Sequence, residues 1–216
     1  MSPLFSFDPA QAVAHLRAVD SRLAAVIDRA GPFAPEPNPA RNLFEALLRS
    51  IIYQQLHGRA AETIHGRVLA VMRARGGRLA QHAALAKCTD EELRAAGLSR
   101  NKLLAIRDLH AKCLDGTVPT PQEARALTDE ELLARLTRIR GIGPWTVHVL
   151  LIFYLGRPDV LPTGDFAIRL AFKKLYGKRN DPTPEQIVKY ARLWQPYRSV
   201  ASWYLWRSLD TPPAAE

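Results

Sequence analysis

Residues 139–169 read IRGIGPWTVHVLLIFYLGRPDVLPTGDFAIR, and this stretch predicts how the rest of the chain is arranged. It contains a glycine turn, an apolar helix, a loop rich in proline and glycine, and one carboxylate, Asp165, at the start of another helix. Glycine permits positive φ and lets the backbone come close to a ligand. Pro144 suits the first turn of a helix, where the N–H it lacks would have no partner. We therefore predict a helix, a tight turn and a second helix around Gly141–Gly143.

The same turn has the chemistry of an anion-binding site. The first amides of a helix and the helix dipole favour an anion, and Arg138 and Arg140 add positive charge. Phosphate contacts are predicted from Arg140, Gly141, Ile142, Gly143 and Thr146. The alternative is a helix–helix corner whose glycines serve only the backbone. Gly-x-Gly alone does not separate the two, but the Pro-Trp-Thr that follows favours DNA.

This segment resembles the helix–hairpin–helix signature of DNA glycosylases that carry a Gly/Pro-rich loop and an aspartate after the hairpin. The resemblance implies that the hairpin, residues 137–150, binds DNA phosphate and that Asp165 attends the sugar of a flipped nucleotide. Bifunctional members carry a lysine that forms a Schiff base. Trp145 stands at that position, as in alkylbase glycosylases of the 3-methyladenine DNA glycosylase II type. The resemblance thus implies a monofunctional hydrolase of base excision repair, without lyase activity, that removes alkylated bases such as 3-methyladenine.

Length, charge and cysteine content fit this expectation. The 216 residues, 47% of them hydrophobic, suffice for one sizeable domain or for two lobes. A net charge of +9 suits double-stranded DNA as the partner. Cys88 and Cys113 match neither a zinc site nor a disulfide framework, which indicates inert thiols in a reducing compartment.

Cofactor and location are predicted from the same features. The four C-terminal cysteines of the endonuclease III branch are missing, so we expect no iron–sulfur cluster, and the six histidines show no shared spacing that would indicate a metal site built from side chains. The resemblance leaves room for a monovalent cation bound by hairpin carbonyls. No signal-peptide pattern and no uncharged stretch of membrane-spanning length occur, so we expect a cytoplasmic monomer without membrane contact.

The remaining sequence reads as helices joined by short turns. Asp8-Pro9 is predicted to start a helix that runs to Gly31. Capping boxes start two others, at Thr89 and Thr128. We predict an all-α fold of two helical lobes with an active-site cleft between them. Residues 43–155 form the lobe with the hairpin, and residues 1–42 with 156–216 form the lobe that carries Asp165.

Two corners of the chain are candidates for further DNA contacts. The resemblance implies that Gln54, Gln55 or Leu56 enters the duplex and fills the gap left by the flipped base. Such a side chain offsets an unstacking cost of a few kcal/mol. The alternative is that the glutamines cap a helix. At the second corner, residues 97–102 either hold another phosphate or form a capped, solvated turn.

The C-terminal segment WQPYRSVASWYLWRSLD, residues 194–210, is similar to the family's final helix. The resemblance places Trp206 where alkylbase glycosylases stack a tryptophan on the extruded base. Phe166 and Trp145 are predicted to supply further pocket wall. A helix with three aromatics is otherwise typical of a hydrophobic core.

Asp165 is the predicted catalytic residue, because a carboxylate beside C1′ stabilises an oxocarbenium-like sugar. The alternative is a plain helix N-cap that pairs with Arg169. Two other functions stay open: a non-enzymatic helix–hairpin–helix module that binds DNA, and a glycosylase for a neutral mismatched or oxidised base.

Overall fold

The computed structural model describes residues 5–36, 38–76 and 82–210, which form thirteen α-helices and no strand. The prediction of an all-α fold is confirmed. The helices are α1 (Pro9–Val19), α2 (Ser21–Ala30), α3 (Leu43–Tyr53), α4 (Gly58–Ala74), α5 (His82–Leu85), α6 (Asp90–Ala95), α7 (Arg100–Leu114), α8 (Pro121–Ala126), α9 (Asp129–Leu136), α10 (Pro144–Phe153), α11 (Phe166–Leu175), α12 (Pro184–Tyr190) and α13 (Arg198–Asp210). A short 3₁₀ helix, Ala191–Trp194, follows α12. Over these described ranges, no helix combines the length and the apolar character that crossing a membrane requires.

The chain divides into two compact units. The hairpin unit is Asn38–Val147, and the aspartate unit is Met1–Pro37 together with His148–Glu216. The predicted lobe boundaries lay at 42/43 and 155/156, the second of them after α10. The division into compact units falls inside α10, and the lobe boundaries stay a prediction. Buried apolar residues occur along this helix on both sides of the division, so its sequence contains no signal for a boundary.

In the hairpin unit, α3 packs against α4 and α7, and α7 packs also against α5 and α6. The apolar residues of α7 recur at Leu103, Ile106 and Leu109, one helical turn apart, and all three are buried. Burial of such a side chain contributes roughly 1.5–3 kcal/mol. Because of this spacing, α7 contributes a continuous apolar face to the core of the hairpin unit.

In the aspartate unit, the prediction of one helix up to Gly31 is wrong, because the chain breaks at Asp20. Asp20 is buried and extended, with φ −144°, and its Oδ1 accepts the amides of Arg22 and Leu23 at the start of α2. Its Oδ2 accepts the Tyr176 hydroxyl at 2.6 Å and Trp194 Nε1 at 2.8 Å. Burial, with the Asp20 carboxylate beside it, holds the pKa of Tyr176 far above its ordinary value. These distant partners stabilise a break that the continuing apolar spacing conceals.

Helix starts are set by local capping. The predicted capping boxes at Thr89 and Thr128 are confirmed, and Asp8 caps α1 as predicted. Two further boxes, at Thr120 and Thr183, start α8 and α12. A side chain that accepts a first-turn amide typically contributes about 1 kcal/mol to helix stability.

Candidate active site

The glycine turn predicted to bind phosphate lies in the hairpin unit. α9 ends at Leu136 and α10 begins at Pro144, so the predicted helix, turn and second helix are confirmed. Gly141 has φ +80°, which favours glycine, and a Cβ there would lie 3.5 Å from the Cβ of Ala105. The turn is closed by the Ile142 amide, which donates to the Ile139 carbonyl at 3.0 Å.

The residues predicted to bind phosphate differ in what they present. The side chain of Arg140 is exposed, but its amide already donates to Asp108 Oδ2 at 2.7 Å. Ile142 and Thr146 are buried, so a phosphate would meet their backbone rather than their side chains. Phosphate binding by these five residues stays a prediction. For Arg140 only the side chain is available, because its amide is bound to Asp108.

Two hairpin carbonyls already accept hydrogen bonds. The Ile139 carbonyl accepts the Ile142 amide, and the Gly141 carbonyl accepts Gln54 Nε2 at 2.8 Å. A carbonyl oxygen has two lone pairs, so a monovalent cation would have to share these oxygens. The cation stays a prediction.

Gln54, Gln55 and Leu56, the residues predicted as the duplex wedge, form a tight turn after α3 in the hairpin unit, which we call the wedge turn. Gln55 has φ +57°, in the left-handed region, and it is the one non-glycine residue with positive φ in the described ranges. Such a backbone conformation costs of order 1–3 kcal/mol, and it is concentrated at functional sites. Leu56 is 37% exposed, a large fraction for an apolar side chain. Gln54 is partly buried because its amide reaches the hairpin.

Asp165 lies in the aspartate unit, at the start of α11. Its Oδ1 accepts the amide of Ile168 at 2.7 Å, as an N-cap does, and also Trp206 Nε1 at 3.3 Å. The residue keeps 9% of its surface exposed. Asp165 therefore caps α11, as the alternative interpretation proposed, and the oxygen that caps the helix also accepts the hydrogen bond from the Trp206 indole. Capping and catalysis are compatible roles for this carboxylate.

Trp206 is separated from the other aromatics of α13. Tyr204 is fully buried and donates its hydroxyl to the Gly31 carbonyl at 3.1 Å. Trp203 packs edge-on against Tyr204, with 4.9 Å between ring centroids. Trp206 lies instead against Phe153, whose ring centroid is 5.8 Å away at an interplanar angle of 32°. The structure thus joins Asp165, Trp206 and Phe153. Sequence reasoning missed Phe153 because it ends a helix whose residues are almost all apolar.

The other two predicted pocket residues are exposed. Phe166 follows Asp165 directly and is 75% exposed, and Trp145, in the first turn of α10, is 51% exposed. Single exposed apolar side chains are common on protein surfaces, so exposure alone assigns neither ring to a pocket. Their pocket role stays a prediction.

The loop before Asp165 is anchored by contacts that sequence reasoning did not find. Asp159 accepts Arg198 Nε at 2.7 Å and Nη2 at 2.9 Å, a bidentate pair, and the Arg198 amide at 3.2 Å. Ser199 Oγ accepts the Val160 amide at 2.9 Å, and the Ser199 amide donates to the Pro158 carbonyl at 3.0 Å. The loop is therefore fixed to the start of α13, the helix that carries Trp206. An acidic residue in the loop and an arginine at the first position of that helix were the available signal.

Metal and thiol chemistry find little support among the described residues. No group of three histidine, cysteine or acidic side chains there has a metal-binding arrangement. Cys88 is buried with its Sγ directed at the Ala84 carbonyl, and burial raises the pKa of Cys113 to about 12. Both are free thiols of low reactivity, since the thiolate is the reactive form.

Known proteins similar in sequence to this chain include DNA repair enzymes. The profile of the HhH-GPD superfamily base excision DNA repair proteins matches residues 48–196. DNA-3-methyladenine glycosylase 1 of Schizosaccharomyces pombe is 33% identical over 195 residues, which cover 90% of this chain and 85% of the relative. The range matched by the family profile, residues 48–196, includes the wedge turn, the hairpin and Asp165, and it ends before α13.

Solved structures extend the likeness to nearly the whole chain. The 3-methyladenine DNA glycosylase of Schizosaccharomyces pombe, in complex with abasic DNA, superposes with a TM-score of 0.80 at 32% identity, covering 95% of this chain and 100% of that one. A DNA-3-methyladenine glycosidase of Bacillus halodurans gives a TM-score of 0.81 at 35% identity, covering 93% and 89%. The two alignments cover more than nine tenths of this chain, so the shared fold includes nearly all of it.

Proposed function

The chain belongs to the HhH-GPD superfamily of base excision DNA repair proteins, and we propose that it is a monofunctional DNA glycosylase that removes alkylated bases from double-stranded DNA. The observation that carries the proposal is the contact between Asp165 and Trp206. It joins a carboxylate, held at a helix N-terminus, to an aromatic ring. One group suits the sugar and the other suits the base.

Asp165 would act on the deoxyribose. Cleavage of an N-glycosidic bond passes through a sugar with oxocarbenium character, which a nearby carboxylate stabilises. The electron pair of the bond leaves with the base, water adds to C1′, and the water gives up a proton. The Ile168 amide and the Trp206 indole fix Oδ1, so the carboxylate would be oriented before the substrate arrives.

An alkylated purine needs no general acid. Methylation at N3 or N7 makes the base cationic, so that it leaves as a neutral molecule. Electron-rich rings attract such a base through stacking and cation–π interaction, by about 1–3 kcal/mol for each ring. Trp206, supported by Phe153, is the proposed ring. Phe166, which is exposed and directly follows Asp165, would add to the pocket, and a pocket role for Trp145 stays a prediction.

Trp145 is also the reason for proposing a glycosylase without lyase activity. An indole cannot form the Schiff base that strand cleavage requires, whereas a lysine at this position could. We expect borohydride to trap no covalent complex between the protein and abasic DNA. Trapping of such a complex would contradict the monofunctional assignment.

The test is the substitution Asp165→Asn, which removes the charge but keeps an N-cap residue as good as aspartate. We expect single-turnover release of 3-methyladenine from methylated duplex to fall by about 100- to 1000-fold, as when an electrostatic stabiliser of a transition state is lost. Affinity for a duplex with a stable abasic analogue should change less than about 3-fold, because DNA phosphates are bound elsewhere. Full activity would remove Asp165 from the mechanism.

The matched control is Asp8→Asn. Asp8 is an exposed aspartate that caps α1 in the same unit, and its replacement should leave excision unchanged. Duplexes with different lesions decide between the remaining functions. Salt-sensitive binding without any free base would indicate a non-enzymatic DNA-binding module. Release of an oxidised or mismatched base, but not of 3-methyladenine, would indicate a glycosylase for neutral lesions.

A further inference from the structure

Lys102 binds backbone carbonyls of its own unit, whereas lysines of a basic protein that binds DNA are usually expected to contact phosphate. Its Nζ donates to the Ile52 carbonyl at 2.7 Å and to the Gln54 carbonyl at 2.8 Å. These oxygens belong to the end of α3 and to the turn that follows. The side chain is partly buried, and burial lowers the pKa of its ammonium group. Two of its three donors are therefore used inside the hairpin unit, which leaves little capacity for a phosphate.

A cation at this place has a physical purpose. The last carbonyls of a helix have no intrahelical donor, and the helix dipole makes that end negative. Lysine side chains satisfy both needs. The Lys102 ammonium group binds the carbonyl of Ile52 in the last turn of α3 and also that of Gln54, one residue beyond the end of α3. It thereby holds the carbonyl that precedes Gln55, the residue with left-handed φ.

Gln54 connects the same turn to the hairpin. Its Nε2 donates to the carbonyl of Gly141 at 2.8 Å, although the two residues are 87 positions apart. An amide used in this way cannot at the same time enter a duplex. Gln55 and Leu56 are the residues of the turn that stay available.

Successive turns of α7 hold both the wedge turn and the glycine turn of the hairpin, the two turns proposed to contact DNA. Lys102, near the start of the helix, binds the wedge turn. Ala105, one turn later, lies against Gly141, and Asp108, after another turn, accepts the Arg140 amide at 2.7 Å. The distance between the hairpin and the wedge turn is thus set by one helix, in which consecutive turns are about 5.4 Å apart.

We infer that Lys102 is a positioning residue that holds the wedge turn at a fixed place relative to the hairpin, so that Gln55 and Leu56 enter the duplex as the damaged base leaves it. Gln54 is part of this connection and not the wedge. The inference rests on the proposed function, because a wedge has a purpose only in an enzyme that flips bases. It predicts that damage to the connection impairs base extrusion more than the chemical step.

The experiment compares Lys102→Met with the wild type on two substrates. One carries the alkylated base in a fully paired duplex, and the other carries it in an unpaired bubble, where little extrusion work remains. We expect single-turnover excision from the paired duplex to fall at least about 10-fold and from the bubble less than about 3-fold, since a misplaced group commonly costs one to two orders of magnitude. Gln54→Ala, at a partly exposed site, should show the same split with a smaller loss.

A second measurement does not depend on catalysis. The Leu56 amide donates to the Tyr53 carbonyl at 3.3 Å in the free protein. In Lys102→Met its hydrogen exchange should be at least about 10-fold faster, as expected for local opening of the turn. The matched control is Lys112→Met, also on α7, which removes an ion pair to Asp115. It should change neither the excision ratio nor the exchange of Leu56.

The outcomes separate the two proposals. No excision by the wild-type protein would refute the glycosylase, and Leu56 exchange would still decide whether Lys102 holds the turn. Equal losses on paired and bubble substrates in both variants, or unchanged Leu56 exchange in Lys102→Met, would overturn the positioning role.

Discussion

The bidentate pair between Asp159 and Arg198 gives a quantitative test of how the loop before Asp165 is held. The substitution Asp159→Asn keeps the shape of the side chain but replaces one acceptor oxygen by an NH₂ group, which then faces a guanidinium donor. The pair is 22% exposed on the arginine and 26% on the aspartate. The substitution therefore leaves a charge partly buried without its partner.

The magnitude follows from these contacts. Four N–H groups converge on the carboxylate: two from the Arg198 guanidinium, one from the Arg198 backbone and, at 3.4 Å, one from the side-chain amide of Gln195. Hydrogen bonds to a charged group contribute about 1.5–3 kcal/mol when buried, and solvent screening reduces this at a site about one quarter exposed. We expect Asp159→Asn to lower the free energy of unfolding by about 2 kcal/mol. Because the loop ends at Asp165, excision should also slow by about 10-fold.

The assay is urea unfolding combined with single-turnover excision, for Asp159→Asn, Arg198→Lys and the double variant. The cycle should give a coupling energy of about 1–2 kcal/mol between the two residues. Asp210→Asn is the control, because it removes a solvent-exposed pair with Arg207 on the same helix, which is expected to contribute less than about 1 kcal/mol. If Asp159→Asn were as silent as this control, the pair would not hold the loop, and the reasoning from its geometry would be refuted.

Two other predictions concern the base pocket and the response to pH. Trp206→Phe keeps a ring but loses the donor to Asp165, so release of 3-methyladenine should slow about 5- to 10-fold, whereas Trp206→Ala should lose excision more strongly than duplex binding; an unchanged single-turnover rate in either would make Trp206 a core residue. Burial lowers the pKa of His65, His110 and His148 below 6.5. Their contribution to stability is complete above about pH 6.5 and is lost progressively below it, because the unfolded chain binds protons first there. Urea unfolding at pH 7.5 and 5.5 measures this, and equal free energies would contradict it.

The features that the sequence predicted correctly depend on neighbours along the chain. Thr89 and Glu92 are three residues apart, and each satisfies a backbone amide near the other, so the pattern and the contact coincide. Gly141 and Pro144 predicted the turn for the same reason. In each case the partners lie within one helical turn or one loop.

The features that were missed depend on partners far along the chain. The break between α1 and α2 is stabilised by contacts from Asp20 to Tyr176 and Trp194, which are 156 and 174 positions away. No local pattern distinguishes this aspartate from one in the middle of a surface helix. Phe153 was missed for another reason, because helical spacing carries no information about direction when every face of a helix is apolar.

The same division applies to the site and bears on where function-altering substitutions will occur. The motifs supply the groups that would meet DNA, but other residues fix where those groups lie: Lys102 and Asp108 in the hairpin unit, Arg198 and Ser199 in the aspartate unit. A functional group must be held to within about 0.5 Å of its productive position. Most of these contacts are made to main-chain groups. The supporting side chain must therefore be kept, whereas the side chains of the residues that it holds can vary. Substitutions that abolish repair without touching DNA should therefore be concentrated at such supporting residues.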